Sequence, residues 1–251
     1  MSKRLLLGID IGTSGCKIAA FDFDGNAVCT YTRSYDVSHP DTTWAEIDAD
    51  LWWSSICGGI RALIESERLD PNEVAAVGVD GLSWTCLPVD RKGRPLRPAM
   101  IWLDRRAEEQ AQWMKKQVGE DRLISLSGNP VDPAYVVPKM LWLKQHEPDI
   151  YADTHMFLQS NSYVVYKLTG VFSQDHSQAY GFHFFDIANC HYDESAADRL
   201  GISLDLIPPL THCHEVVGTV TSKASRECGL PKGVPVVAGG FAPAVGLRQV
   251  H

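Results

Sequence analysis

No Cys-x-x-Cys or His-x-x-x-His pair occurs in this chain, although it holds seven cysteines and nine histidines. Cys16, Cys29, Cys57, Cys86, Cys190, Cys213 and Cys228 are odd in number and scattered, so neither a disulfide framework nor a zinc module is expected. Cys190-His191 and His212-Cys213-His214 are read as loop or packing side chains. No run approaches the ~18 apolar residues of a membrane span. Met1 to Arg4 has the charge of a signal peptide's start, but Leu5 to Leu7 is too short an apolar segment and Asp10 interrupts it. Reduced thiols in a cytoplasm are the expectation. A basic excess is missing too: 23 Lys and Arg stand against 31 Asp and Glu, a net charge of −8, which argues against a general nucleic-acid binder. Internal repeats and low-complexity segments are absent.

What is present is a 251-residue chain, 45% hydrophobic, long enough for one large domain or two small ones. It opens on Leu5 to Asp22, which reads as strand, glycine turn and second strand. The turn, Gly12-Thr13-Ser14-Gly15, has two glycines able to take positive φ, and its N–H groups and hydroxyls offer donors to a phosphate. Asp10 sits inside the first strand, where a lone carboxylate is costly unless compensated, and a hydrated magnesium ion would compensate it. With Lys17 just beyond, these residues are the minimum equipment for a metal–nucleotide pair. They fit equally an ordinary hairpin whose Asp10 caps the turn, and spacing alone does not separate the two.

Asp24-Gly25-Asn26 turns the chain into a third strand, Ala27 to Tyr35, completing a three-stranded antiparallel meander. A helix capped by Asp48 or Asp50 is predicted from Leu51 to about Glu67, and a buried strand from Val74 to Val79 that ends at Asp80-Gly81. Ligands in open α/β sheets bind at such strand ends. A strand from Arg97 to Trp102 and a helix from Ala107 to about Val118 follow. Between them Trp102, Asp104, Arg105 and Arg106 emerge together, a grouping able to stack on and hydrogen-bond a polyol. The alternative is that Asp104 caps the helix and the arginines are solvated. Helices are further predicted over Tyr135 to Glu147, from Ser160 or Asn161 to Leu168, over Glu194 to Leu200 and over Ser222 to Cys228. Short strands are predicted at Thr154 to Leu158, Gly218 to Val220 and Val234 to Ala238, the last delivering Gly239-Gly240. Trp52, Trp53, Trp113 and Trp142, at helical spacing, are expected in the core.

In order and spacing these pieces resemble the amino-terminal domain of the FGGY carbohydrate kinases, and most of all the xylulokinase-like branch. The resemblance runs through Gly8-Ile9-Asp10-Ile11-Gly12-Thr13-Ser14, Trp44-Ala45-Glu46 before Trp52-Trp53, and Arg97-Pro98-Ala99-Met100-Ile101-Trp102-Leu103-Asp104. It continues in Pro138-Lys139-Met140-Leu141-Trp142, Glu147-Pro148, Lys167-Leu168-Thr169-Gly170, Asp175-His176-Ser177 and Val234 to Gly240. It implies an α/β fold of the ribonuclease-H-like, actin-like ATPase type, a mixed sheet opening with the meander and flanked by helices. The implied reaction is phosphorylation of a ketopentose or related polyol by ATP with Mg2+. Asp10 would help hold the magnesium, and Gly12, Thr13, Ser14 and Lys17 would face the nucleotide phosphates. Gly81, Leu82, Ser83, Trp84, Trp102 and Asp104 would line the sugar pocket.

Three departures accompany the resemblance. Leu82-Ser83-Trp84-Thr85 stands where xylulokinases usually carry Gln-Met-His-Gly, which puts xylulose itself in doubt. Ala242 occupies the position where the family places its general base, an aspartate. Residues 1–240 correspond to one half of the family architecture, with 241–251 an atypical tail and no counterpart of the nucleotide-binding half. The expectation is a truncated or frameshifted kinase half, inactive alone, whose uncovered apolar face predicts a homodimer. The alternative is a non-enzymatic sugar-binding or self-associating domain.

Overall fold

The computed structural model describes residues 4–66 and 68–241, so Ala242 and the rest of the expected tail beyond Phe241 lie outside the described residues. Strands β1 (Leu5–Ile11), β2 (Gly15–Phe21) and β3 (Ala27–Ser34) form the expected antiparallel meander. After helix α1 (Ala49–Glu65), strand β4 (Val74–Gly81) joins β1 in parallel, with Ile9 opposite Val79 and Asp10 opposite Asp80. Far along the chain, β5 (Val216–Thr219) pairs antiparallel with β6 (Pro235–Val237), and β6 lies parallel to β4. The sheet order is β5-β6-β4-β1-β2-β3, and the short β7 (Gly240–Phe241) runs parallel to the end of β4.

Alternation decides which face of this sheet is covered. Leu5, Leu7, Ile9 and Ile11 point to one face and are buried against Trp52, Ile56, Ile60 and Leu63, which recur at helical spacing along α1. Helices α3 (Ser160–Thr169) and α4 (Ser222–Cys228) complete that layer through Val164, Leu168, Ala224 and Cys228. On the opposite face Leu6, Gly8 and Asp10 of β1 stand beside Ala76, Gly78 and Asp80 of β4. That face carries an apolar groove of about 470 Å3, running from Leu6 and Phe21 to Asp80 and Gly239.

Between β4 and β5 the chain builds a second core, in which Met140 on α2 (Val136–His146) packs with Met100, Met114, Phe157, Phe182 and Phe184. Sequence and structure differ most here. The predicted strand over Arg97 to Trp102 shrinks to Ala99–Met100, paired with Glu46–Ile47: Pro98 lacks the N–H to extend the ladder backwards, and Asp104 N–H donating to Ile101 O turns the chain away after Ile101. The predicted helix from Ala107 runs from Glu108 to Met114, widens into a π-helical turn over Lys115–Gly119, and continues over Glu120–Ser127. Trp113 is 43% exposed on that helix rather than in the core, whereas Trp52, Trp53 and Trp142 are buried.

Candidate active site

The turn Gly12-Thr13-Ser14-Gly15 is closed by Gly12 N–H donating to the Gly15 carbonyl at 2.8 Å. Tyr35 braces it from β3's far end, its hydroxyl donating to Gly12 O at 2.7 Å and its N–H to Ser14 O. The expectation of positive φ at the turn glycines is corrected, since neither Gly12 nor Gly15 adopts it. Gly15 is required for another reason: a Cβ there would stand 2.6 Å from the Arg33 carbonyl oxygen, where β2 and β3 approach. Ser14 is exposed and Thr13 half-buried, so the turn's hydroxyls sit at the surface of the strand ends.

Asp10 stands opposite Lys17 on β2 and Asp80 on β4, so one cation and one carboxyl flank it across the sheet. Burial raises its pKa, opposed by the hydrogen bond with Asp80 and by the Lys17 charge. Asp80 is 4% exposed, and burial followed by the Asp10 charge pushes its pKa up to about 7. The two carboxyls face each other across the ladder, and neither Asp80 oxygen receives an N–H or hydroxyl donor among the described residues. β7 closes the third side, Gly240 opposite Asp80. Gly239 before it has φ 81, and a Cβ there would collide with the Val79 carbonyl oxygen, so only glycine lets β7 dock on β4.

Past Asp80, residues 81–84 fold under the strand ends. Gly81 O accepts from Gln178 Nε2 at 3.0 Å and Leu82 O from Ser160 Oγ at 3.1 Å, which fixes the loop against the short helix His176–Ala179 and the start of α3. Gly81, Leu82 and Ser83 are buried, and Trp84 is the half-buried member. Trp84 takes φ 58, an uncommon value for a side chain of this size. Its N–H donates to Gln159 Oε1 at 3.0 Å and its ring lies 4.3 Å from that of Tyr135. The Tyr180 ring meets that of Trp84 edge-on at 6.2 Å.

Trp102 reaches the same place from the loop after Met100. It is 41% exposed, and its indole N–H donates to Thr13 Oγ1 at 3.0 Å, joining the phosphate-type turn to the loop that follows Met100. Asp104 is completely buried: its carboxylate accepts from Ala45 N at 2.7 Å and from the Arg106 backbone and guanidinium at 2.7–3.1 Å. Arg106 also pairs with Glu46, and its guanidinium lies 3.7 Å above the Trp44 ring. Asp104 therefore holds the Trp102 loop in place and presents no free oxygen to the surface.

Asp10, Thr13, Gly81 and Trp102 are thus brought together, Ser14 and Lys17 lie at the rim, and Asp104 lies behind. Two residues were not singled out from sequence. Asp80 was legible in a repeated pattern: Gly8-Ile9-Asp10 and Gly78-Val79-Asp80 end two apolar runs in the same way. Lys139 was not, because a lysine on a helix ordinarily reads as solvated. It is completely buried, and Nζ donates to the carbonyls of Trp84 (2.9 Å), Ile101 (2.6 Å) and Ala134 (2.7 Å). Among the described residues no group of three or more metal-type side chains converges, and no helix is long and apolar enough to cross a membrane.

Known proteins are similar to this chain in sequence and in fold. The chain is 32% identical over 249 residues to the xylulose kinase of Escherichia coli, covering 98% of this chain and 50% of that protein. It is 33% identical over 254 residues to a xylulose kinase of Staphylococcus epidermidis, covering 100% and 50%. The crystal structure of xylulose kinase from Rhodospirillum rubrum superposes with a TM-score of 0.88 at 26% identity, over 94% of this chain and 48% of that one. The chain thus spans about half the length of the curated relatives it matches. Its fold is that of the actin-like ATPase domains of sugar kinases. The profile of the FGGY family of carbohydrate kinases, N-terminal domain, matches residues 5–247, and the chain belongs to that family.

Proposed function

We propose that this chain is the amino-terminal, sugar-binding half of a kinase that transfers a phosphoryl group from ATP to a ketopentose such as xylulose, or to a related polyol. The observation that carries the reading is the Thr13–Trp102 hydrogen bond, which sets a phosphate-type turn against an exposed aromatic wall at the ends of β1 and β4. Xylulose kinases among the relatives support the sugar class. In this reading the N–H and hydroxyl groups of Gly12, Thr13 and Ser14 face the phosphates, and Lys17 adds positive charge at the rim. Trp102 and Trp84 offer faces for the C–H side of the sugar, with Gly81, Leu82 and Ser83 forming the floor beneath them. Asp104 acts by holding Trp102.

Magnesium, held at Asp10, would neutralise phosphate charge. The residues fit such an ion, since a half-buried carboxylate beside a second carboxyl with no N–H or hydroxyl donor is an oxygen-only donor set. A family base is replaced by Ala242, and the 251 residues span half of their relatives, so these residues alone are expected to bind sugar with little transfer. We place the chain in the cytoplasm. The apolar groove on the open sheet face pairs two copies when nothing else covers it.

Calorimetric titration of the 251-residue chain with a panel of ketoses and polyols, run beside a coupled ADP-release assay, tests this. Saturable binding of a ketopentose is expected, weakened about tenfold or more in Trp102→Ala through loss of a stacking face, with ADP release at background. Absence of binding across the panel overturns the sugar reading. Robust ADP release overturns the inference drawn from Ala242. Sugar binding without transfer, even when a separate nucleotide-binding half is supplied, favours the non-enzymatic alternative.

A further inference from the structure

We propose that Asp80 is a second carboxylate ligand of the divalent cation, so that the ion sits on an Asp10–Asp80 pair built into adjacent strand ends. The inference rests on the kinase-half reading above and extends it to a residue of this chain.

The placement follows from register. Asp10 and Asp80 are direct partners across the parallel β1–β4 ladder, and the Ala76-Gly78-Asp80 alternation repeats Leu6-Gly8-Asp10, which puts both side chains on the open face. Adjacent strands lie about 4.8 Å apart. Two carboxylates at that separation can both reach one ion at the ~2.1 Å oxygen distance of magnesium. Magnesium is ordinarily bound through one or two carboxylates, with water and phosphate filling the remaining positions. A pair at the mouth of a phosphate-type turn is that set, and no third protein ligand is needed.

Burial supplies the independent observation. Asp80 is 4% exposed, and neither of its oxygens receives a donor among the described residues, although both are sealed from water. A carboxyl kept for structure normally accepts from backbone or side-chain donors, as Asp175 does from Asn161, Ser177 and Gln178 N–H. Around Asp80 the neighbours are instead the glycine backbones of Gly78, Gly239 and Gly240 and the Asp10 carboxyl. The glycines leave room and offer no side-chain donor. A buried polar atom without a partner costs roughly 1–3 kcal/mol, and a bound cation is the partner that removes this cost for both carboxyls at once.

The test uses Mn2+ as probe, with the free ion followed by electron paramagnetic resonance on the full 251-residue chain without nucleotide. One Mn2+ is expected per chain, displaced by Mg2+. Asp80→Asn should weaken binding about tenfold or more, as ligand charge falls, and Asp10→Asn should abolish it. Asp24→Asn, in an exposed turn, should leave it unchanged. Melting followed by circular dichroism is run on each protein without metal. Asp80→Asn is expected to melt no lower than the parent, and Asp80→Ser serves if the amide variant does not fold. The melting temperature should rise with Mg2+ in the parent and not in the Asp80 variants. Parent-like Mn2+ affinity in either folded Asp80 variant overturns the proposal, as does failure of the parent to bind Mn2+. The polyol titration has no metal requirement, so sugar binding with no Mn2+ site sinks this inference alone, and an Mn2+ site without polyol binding sinks the sugar reading alone.

Discussion

Lys139 ties three separate pieces of the site wall together. Its three donors meet the carbonyls of Trp84, Ile101 and Ala134, which belong to the loop after β4, the loop carrying Trp102, and the entry to α2. Three acceptors match the three hydrogens of an ammonium, while complete burial pulls the pKa down to about 7, opposed by the Asp104 charge. Lys139→Met keeps the length and removes every donor. It should cost about 2–4 kcal/mol in urea unfolding, because three buried carbonyls lose their partner. His183 gives the pH dependence. It is completely buried, its Nε2 hydrogen-bonds the Pro130 carbonyl, and burial holds its pKa at about 4. The unfolded chain takes up a proton near pH 6.5 and the folded one does not until about 4. Stability is therefore full above about pH 6.5 and falls as the pH drops toward 4, by up to about 3 kcal/mol. His183→Phe should flatten that acid limb in urea titrations from pH 7 to 4. Such residues explain what sequence could supply at this scale. The strand-end place of Asp10 and the exposure of Trp102 were legible because strand ends and exposed aromatics follow local rules, whereas the burial of Lys139 and Asp104 depends on partners as far as 55 and 59 residues away.

At the scale of elements, the meander and α1 were readable because alternation, turn and cap signals all agreed; Asp48 caps α1 as predicted, accepting from Asp50 N. Helix Glu120–Ser127 was missed. Gly119, at φ 99, signals a stop, yet the chain turns there and resumes as helix with Leu123 in the second core. The two-residue ladders, such as Glu46–Ile47 with Ala99–Met100, were invisible because so short a strand has no period of its own. β7 is the short element on which the site depends most, since it brings Gly240 beside Asp80. Gly239→Ala should cost about 2–4 kcal/mol, from the positive φ and the collision with the Val79 carbonyl. Hydrogen exchange should then show the end of β4 opening ahead of β1 and β2, while parent-like protection at Asp80 and Gly81 would refute that role for Gly239.

At the scale of the whole molecule, the described residues form two cores and leave one sheet face without a covering layer. Helices α1, α3 and α4 cover one side of the central sheet, while the other carries Leu6, 43% exposed, and the apolar groove that ends at Asp80 and Gly239. Stable layered domains bury the apolar faces of their sheets against another layer, and a continuous apolar patch on a surface marks an interaction site. Relatives twice the length have further chain, and a preparation of these 251 residues by themselves offers that face a second copy. Sedimentation velocity across a hundredfold concentration range should show the average coefficient rising with concentration. Leu6→Lys places a charge at one end of the groove, on a strand whose neighbours are already paired on both sides, so it should restore the monomer while the melting temperature stays within a few degrees of the parent. The metal site lies at the far end of the same groove, so association and Mn2+ binding should compete wherever two copies meet along its full length. If the parent's coefficient does not change with concentration, the open face is covered or indifferent in this chain, and neither the pairing nor the competition occurs.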